Sequence, residues 1–308
     1  MIMGKICILF AGQGSQYPGM GGELITLIPG AGRIMEAGSD ILGFDLLDAC
    51  LHMDAEQLSR TEISQPAIMA VSLLAFEAVK SLGILPDMAA GHSLGEYAAM
   101  EACGILSLED SFRVIRARAK AMGECAKRHP GAMCAVMGLS PDEIAAVCEK
   151  TDGYVVPVNY NSPLQTVIAG EAGAVEQAME TFSGMGKRCV KLAVSAAFHT
   201  KLMQEAADEF KAAIAAVPFK TPSVDFYSNT TGKKMEDLSD MPSYLAKHLT
   251  SPVRFTDELN AVHEAGAEQF VECGPGKVLT GLCRKTLAGI QANNVEDKKS
   301  FEKLSEAL

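Results

Sequence analysis

The stretch Ala89-Ala90-Gly91-His92-Ser93-Leu94-Gly95-Glu96-Tyr97 decides the fold that we expect for this chain. A short apolar run precedes Ser93, and a helix-forming run over residues 96–103 follows it. Glycine stands two residues either side of the serine, where side chains would collide as a strand folds back onto a helix. This layout predicts a nucleophile elbow, although a five-residue match can also arise by chance in a glycine-rich chain.

Composition and charge limit the classes of partner. The chain has 308 residues, of which 48% are hydrophobic and 21% charged, values that are typical of a globular protein. Its formal net charge of −11 disfavours nonspecific binding to nucleic acid or to an anionic membrane surface. No apolar run approaches the roughly 20 residues of a membrane span, and the opening residues lack the pattern of a secretion signal. We therefore expect neither nucleic acid nor membrane as a partner.

Cysteine usage and loop spacing bear on cofactors. Nine cysteines are scattered from Cys7 to Cys283 without a C-x-x-C pair. This usage argues against a disulfide framework or a zinc site and indicates a reducing cytoplasm. The glycine-rich loop over residues 11–21 fits neither a dinucleotide fingerprint nor a Walker motif. We expect no metal and no cofactor.

Alternating strand-like and helix-like segments predict an α/β fold of two parts. An α/β-hydrolase-like core with a parallel sheet is expected over residues 1–126 and 197–308. Residues 127–196 are expected to form an inserted ferredoxin-like subdomain of the order βαββαβ. Its expected elements are residues 132–137, 140–150, 154–159, 165–169, 172–182 and 187–194. From residue 291 onward we expect a polar, loosely held last helix.

An arginine beside an apolar helix face draws attention to the segment 108–126, which is expected to be a helix capped by Ser107. At about 100° per residue, Arg118 lies roughly 70° from the centre of the apolar stripe. Such an arginine either extends to solvent or has a negative partner, and both remain open here. The preceding helix is expected over residues 67–82, with Ser64 as its cap.

A serine nucleophile needs a base, and histidine is the usual base near neutral pH. Three of the six histidines stand in contexts typical of surface residues: His52, His129 and His263. The side chain of His92 should diverge from that of its neighbour Ser93. His199 stands at the start of an expected helix over residues 198–217, where the two subdomains join and a cleft is favoured. The order of serine and histidine, with no obvious acid between them, indicates a dyad.

Five groups of residues, in this order, carry a resemblance to one family: Gly12-Gln13-Gly14-Ser15-Gln16, Gly91-His92-Ser93-Leu94-Gly95-Glu96-Tyr97, Arg118 with Met122, Ala197-Phe198-His199, and Gly274-Pro275-Gly276-Lys277-Val278-Leu279. The chain resembles the malonyl-CoA:acyl carrier protein transacylases from its first strand to about residue 288. The resemblance implies a ping-pong transfer of the malonyl group from malonyl-CoA to the phosphopantetheine thiol of acyl carrier protein, which supplies extender units for fatty acid synthesis. The alternatives are a trans-acting malonyltransferase of a polyketide synthase, a serine thioesterase or hydrolase, and a non-catalytic relative that binds the carrier.

The resemblance also implies a role for individual residues. Ser93 attacks the thioester with His199 as general base, and Arg118 binds the free malonyl carboxylate through a two-pronged ion pair. The backbone N–H groups of Leu94 and Gln13 form the oxyanion hole. Three further residues are implied at the substrate site: Phe198, Asn161 and Asn229.

Two further points follow from the resemblance: the sequence departs from the family at one position, and the enzyme needs a surface on which the carrier protein docks. At the position of His248 many relatives have glutamine, whose backbone carbonyl orients the catalytic histidine. We expect that carbonyl contact here too, while a role for the His248 ring stays open. Because carrier proteins are acidic, docking needs local basic clusters, and two pairs are the candidates: Lys187-Arg188 and Arg284-Lys285. Standalone relatives are usually monomers, so we expect a monomer.

Overall fold

Two β-sheets organise the chain, of which the computed structural model describes residues 4–307. The larger sheet contains β1 (Lys5–Phe10), β2 (Met88–Gly91), β7 (Asp225–Ser228), β8 (Lys233–Lys234), β9 (Ala267–Cys273) and β10 (Gln291–Val295). Its order is β10-β9-β1-β2-β7-β8, and all its pairs are parallel except that of β7 with β8. The chain is thus a mixed α/β protein with a parallel-rich sheet, as expected.

The smaller sheet packs its two faces against different partners. Its antiparallel strands are β3 (Ala132–Met137), β4 (Val155–Ser162), β5 (Gln165–Gly170) and β6 (Arg188–Lys191), in the order β4-β5-β3-β6. Cys134 and Val136 pack with α8 (Pro141–Lys150) and α9 (Ala172–Gly184), whereas Met133 and Ala135 belong to the core of the larger part. Alternation along the strand produces this division. The closing strand is shorter than the expected 187–194.

The remaining helices belong to the larger part: α1 (Leu24–Leu27), α2 (Gly32–Leu42), α3 (Leu46–His52), α4 (Ala55–Ser59), α5 (Thr61–Ser81), α6 (Gly95–Ala102), α7 (Leu108–Arg128), α10 (Gln204–Ile214), α11 (Met241–Thr250), α12 (Phe255–Glu264), α13 (Val278–Thr286) and α14 (Lys298–Glu306). As expected, Ser107 caps α7, since its hydroxyl oxygen accepts from the N–H of Asp110. This cap fixes the start of the helix that carries Arg118.

Helix α5 is the central helix of the core, and it corrects two expectations. It begins at Thr61 rather than after Ser64, so Pro66, which was expected just inside the helix start, lies further along the helix. Near the helix start Pro66 removes only one hydrogen bond, to the carbonyl of the exposed Glu62, so the helix tolerates it. Its length and apolar composition would also suit a membrane span, contrary to expectation, but 83% of that window is buried inside the fold.

The C-terminal segment is a further correction. The expected loose helix from residue 291 is instead an edge strand, β10, followed by α14. All five residues of β10 pair with β9, and Ala292 and Val295 are buried. The strand was not predicted because its sequence is mostly polar, and an edge strand needs few apolar side chains. Leu304 anchors α14 to the core.

Candidate active site

The elbow forms where β2 ends and α6 begins. Ser93 has a φ of 54°, in the left-handed region that non-glycine residues rarely adopt. A Cβ atom on Gly91 would overlap the backbone of Gly95, and one on Gly95 would overlap the carbonyl of Phe10. Only glycine fits at both positions because the backbones touch there. The spacing around the serine therefore has the steric cause that the sequence predicts.

Asn229 holds this turn from behind. Its Oδ1 accepts a hydrogen bond from the N–H of Ser93 at 2.6 Å, and its Nδ2 donates to the carbonyl of Gly91 and to Oε2 of Glu258. Asn229 is fully buried and does not line the cavity in front of the serine. The expectation that it contacts substrate is therefore corrected, because its amide is already committed to the elbow.

The structure brings Ser93 and His199 together, with Oγ 2.8 Å from Nε2. Nδ1 of His199 lies 3.1 Å from the carbonyl oxygens of both His248 and Ser251. Two carbonyl acceptors place the ring proton on Nδ1 and leave Nε2 to accept the serine proton. In the described part of the chain no carboxylate joins these partners. The three groups thus have the geometry of a Ser–His dyad oriented by backbone carbonyls.

The backbone around His199 differs from expectation. The expected helix over residues 198–217 begins only at Gln204, after a 3₁₀ turn at Lys201–Met203. His199 itself has a φ of 63°, and it shares a positive φ with Ser93 alone among the described non-glycine residues. Strained backbone of this kind concentrates at functional sites.

His199 is neutral in the structure without a ligand. It is 4% exposed, and burial, with the positive charge of Arg118 as the second cause, lowers its pKa to about 3. The imidazole is therefore neutral at pH 7, which is the protonation state of a general base.

Arg118 lies beside the nucleophile and is only 1% exposed. Its Nη2 is 3.1 Å from Oγ of Ser93, its Nη1 donates to Oε1 of Gln65 at 2.7 Å, and its guanidinium lies over the ring of Tyr97. No salt bridge to a carboxylate forms within residues 4–307. Neither open alternative describes it, since the side chain does not reach solvent and has no negative partner. It presents an uncompensated positive charge to the space around the serine.

Gln65 is a site residue that sequence reasoning missed. It is fully buried on α5 and accepts from the guanidinium of Arg118, and its own Nε2 lies 3.6 Å from the sulfur of Met122. The available signal was a polar glutamine between the expected cap Ser64 and Pro66, at the start of a largely apolar helix. Its amide fixes one prong of the guanidinium and leaves the other directed at Ser93.

A cavity of about 300 Å³ opens in front of these groups. Its lining includes four predicted residues and Asn159, which was not predicted: Gln13, Ser93, Phe198, His199 and Asn159. Leu94 is buried directly behind the serine, at the start of α6. In the part of the chain that the structure describes, the backbone N–H groups of Gln13 and Leu94 donate no hydrogen bond. Both are free for an oxygen atom beside Ser93.

Asn161 contacts His92, the neighbour of the nucleophile in the sequence, rather than Ser93 itself. Its Oδ1 is 2.8 Å from Nε2 of His92, so the His92 ring indeed points away from Ser93. Asn161 lines a neighbouring cavity that shares Gln13, His92 and Asn159 with the first. It can act on a ligand only through that adjoining space.

The ring of His248 lies in the core behind the dyad. It is fully buried, its centroid is 5.4 Å from that of His199, and its Nδ1 is 3.6 Å from Oε2 of Glu96. Burial lowers its pKa well below the usual range. The ring is therefore neutral at pH 7, and the contact with His199 is made by the backbone carbonyl, as expected.

The two basic pairs lie outside the cavity wall. Arg188, Arg284 and Lys285 are exposed, while Lys187 is half-buried and donates to the carbonyl of Gly138 at 2.9 Å. Arg188 opens β6, whose last residue, Lys191, lines the cavity, and Arg284 and Lys285 occupy the last turn of α13.

A half-buried serine hydrogen-bonded to a buried histidine, two free backbone N–H groups and an arginine without a salt bridge are typical of an enzyme of the acyl-transfer class. The family model described as "Acyl transferase domain" matches residues 8–305. The chain is 38% identical over 304 residues to the malonyl CoA-acyl carrier protein transacylase of Bacillus subtilis, covering 97% of this chain and 96% of that one. It belongs to the malonyl CoA-acyl carrier protein transacylase family.

Solved structures agree with this assignment. The transacylase of Clostridium perfringens superposes with a TM-score of 0.93 at 34% identity, covering 98% of this chain and 96% of the other. A malonyl-transacylase in complex with its type II PKS acyl-carrier protein superposes with a TM-score of 0.93, also at 34% identity, covering 99% of this chain and 100% of that one.

Proposed function

We propose that the chain transfers the malonyl group from malonyl-CoA to the phosphopantetheine thiol of acyl carrier protein through a malonyl ester of Ser93. One observation carries the choice of acyl group. Arg118 is buried 3.1 Å from Oγ of Ser93 and forms no salt bridge with any carboxylate of residues 4–307, so the site favours an acyl group that brings a carboxylate of its own. Membership of the transacylase family supports the same substrates.

The dyad accounts for both half-reactions. Nε2 of His199 removes the proton of Ser93 as Oγ attacks the thioester carbonyl, and the same proton then passes to the departing coenzyme A sulfur. In the second half-reaction His199 takes the proton of the carrier thiol, whose sulfur attacks the ester carbonyl. The proton returns to Ser93 as its oxygen leaves. No metal or cofactor is required for these steps.

The free N–H groups of Leu94 and Gln13 form the proposed oxyanion hole. Leu94 follows Ser93 at the start of α6, and Gln13 lines the same cavity as Ser93. The loss of one such donor typically costs about 3–4 kcal/mol of transition-state stabilisation. Phe198, in the cavity wall beside His199, supplies an apolar contact for the acyl chain.

The architecture is proposed to be an α/β-hydrolase-like core, residues 1–126 and 197–308, with a ferredoxin-like insertion over residues 127–196. The parallel sheet with the elbow after β2 supports the first assignment, and the antiparallel order β4-β5-β3-β6 with two helices supports the second. Met133 and Phe198, one from each proposed part, both line the cavity, which supports a site at the junction of the two parts.

Carrier docking is proposed at the two basic pairs. The matched test reverses each pair to glutamate, Lys187 with Arg188 and Arg284 with Lys285, and measures both half-reactions. The KM for the carrier should rise while acylation by malonyl-CoA stays unchanged, since no member of either pair lines the cavity. Unchanged carrier kinetics would remove these pairs from the docking surface.

Mass spectrometry after mixing with malonyl-CoA tests the central step. We expect an adduct of one malonyl group on Ser93 that disappears when the carrier with its phosphopantetheine thiol is added. A missing adduct would favour a non-catalytic, carrier-binding protein. Rapid free malonate without acyl-carrier formation would favour a thioesterase or hydrolase.

The carrier protein that accepts the malonyl group determines which pathway the enzyme supplies. Supply of extender units for fatty acid synthesis is the main assignment, because the curated relatives are malonyl CoA-acyl carrier protein transacylases. The second candidate is a trans-acting malonyltransferase of a polyketide synthase. It is favoured by the similarity to a transacylase in complex with a type II PKS acyl-carrier protein. Relative kcat/KM for the two carriers decides between them. Nine cysteines without a disulfide are consistent with a proposed cytoplasmic location.

A further inference from the structure

Glu96 is a buried carboxylate to which the proposed mechanism gives no part. It lies in the first turn of α6 and is fully buried, and its backbone N–H donates to the carbonyl of Ser93 at 3.1 Å. Its side chain does not line the cavity, so it does not touch the reacting atoms. A carboxylate buried in a core is costly unless hydrogen bonds compensate it. The position of its hydrogen-bond donors therefore matters.

One set of contacts leads from Glu96 to the nucleophile. Oε1 of Glu96 accepts from the backbone N–H of Asn229. The Asn229 side chain in turn accepts from the N–H of Ser93 and donates to the carbonyl of Gly91. The carboxylate thus fixes the backbone of the residue whose amide holds the strained serine turn.

A second set leads from the same carboxylate to the base. The hydroxyl of Tyr244 lies 2.9 Å and 3.0 Å from the two oxygens of Glu96. Tyr244 stands one turn before His248 on α11, and the carbonyl of His248 accepts the Nδ1 proton of His199. Oε2 of Glu96 also lies 3.6 Å from the ring of His248. The carboxylate therefore fixes the helix that orients the base.

We propose that Glu96 is a positioning residue that sets the distance between Ser93 and His199 by fixing Asn229 and α11 at once. This inference rests on the proposed function for the identity of the nucleophile and the base. Both sets of contacts end on one side chain. Its removal deprives the Asn229 N–H of its acceptor and leaves the Tyr244 hydroxyl only Oγ of Ser228, 2.9 Å away, so α11 loses its link to the elbow through Glu96. A shift of either partner changes the 2.8 Å contact on which proton transfer depends.

The protonation of Glu96 guides the choice of variants. Burial raises its pKa to about 8, against the lowering effect of the Asn229 and Tyr244 hydrogen bonds and the charge of Arg118. An amide therefore resembles the group near neutral pH: its oxygen can still accept from both donors. Glu96→Gln should preserve the arrangement that Glu96→Ala destroys.

The experiment measures kcat and KM for malonyl transfer, together with the rate at which a fluorophosphonate probe labels Ser93. Glu96→Ala should lower kcat and the labelling rate together by about 100-fold, the effect of a misplacement near 1 Å, with KM for malonyl-CoA unchanged. Tyr244→Phe breaks the second set of contacts and the contact with Oγ of Ser228 but leaves the first set intact, and it should lower both rates by about 10-fold. Glu96→Gln should restore both toward the unmodified protein. Glu101→Ala, on the same helix, is the matched control.

Three results would overturn the proposal. They are a folded Glu96→Ala with the original labelling rate, a Glu96→Gln that loses as much as Glu96→Ala, and a Tyr244→Phe with unchanged kcat and labelling. The last result decides the matter if Glu96→Ala does not fold, because removal of one hydroxyl leaves the core filled. If the unmodified protein forms no malonyl ester, the proposed function fails, whereas the labelling rates still test Glu96.

Discussion

Replacement of Arg118 by methionine should convert a malonyl-selective site into an unselective one. The guanidinium is 1% exposed, 3.1 Å from Oγ of Ser93, and without a carboxylate partner in the described chain. Loss of one partner from a buried, hydrogen-bonded charge pair costs about 2–5 kcal/mol. At 1.36 kcal/mol for each factor of ten, kcat/KM for malonyl-CoA should fall by about 30-fold to about 5,000-fold.

Acetyl-CoA provides the comparison within the same protein. An acetyl group has no carboxylate to pair with Arg118, so its transfer should change little or improve as the unpaired charge disappears. The assay is single-turnover formation of acyl-Ser93, followed by mass spectrometry with each thioester. We expect the ratio of the malonyl rate to the acetyl rate of acyl-Ser93 formation to fall sharply, almost entirely because the malonyl rate decreases.

Two controls separate selectivity from damage. Arg118→Met leaves the amide of Gln65 without its partner and should reduce stability by about 1–3 kcal/mol, which a thermal melt measures. Arg113→Met, on the exposed side of the same helix, should change neither ratio nor rate. Equal losses for malonyl-CoA and acetyl-CoA would refute the reasoning, because Arg118 would then serve the fold or the dyad rather than the carboxylate.

Further predictions concern the base, the elbow and the second prong of the guanidinium. Since the pKa of His199 is lowered to about 3, kcat/KM for acylation should stay flat from pH 8 down to pH 5, and an acid limb near 6.5 in a pH profile would contradict it. The same lowered pKa contributes stability that is present above about pH 6.5 and is lost as pH falls toward 3, which denaturant titrations at several pH values can measure. Gly91→Ala should destabilise by at least about 1–3 kcal/mol in a thermal melt because its Cβ overlaps backbone, whereas Gly281→Ala, in open space within α13, should stabilise by about 0.5–1 kcal/mol. Gln65→Leu should free one prong of Arg118 and raise KM for malonyl-CoA by about 10-fold, with acetyl transfer unaffected.

Elements with strong local signals were predictable to the residue. β3 matches its expected bounds because it is a continuous apolar run, and α8 ends at the expected Lys150 after a Ser140 capping box. The elbow was predictable because a side chain at either of its two glycines would overlap nearby backbone atoms. Local chemistry sufficed in these cases.

Features that depend on distant contacts were not predictable. Asn229 follows β7 and meets the elbow 136 positions away in sequence, so nothing near it indicates that its amide is occupied. Gln65 on α5 and Arg118 on α7 form a hydrogen bond between two helices. The sequence gives no indication that these two residues are in contact. The turn at His199 could not be read either, because a non-glycine residue gives no sequence signal for a positive φ.

The charge of Arg118 connects substrate selection with activation of the base. After burial, that charge is the largest cause that lowers the pKa of His199. A malonyl carboxylate bound to the guanidinium neutralises it, which raises the pKa of His199 and makes Nε2 a stronger base at the moment when the thioester is in place. An acetyl group leaves the charge uncompensated and the base weaker. Under the proposed function, the substrate carboxylate would therefore increase transfer in two ways, by binding to Arg118 and by raising the basicity of the histidine that activates Ser93.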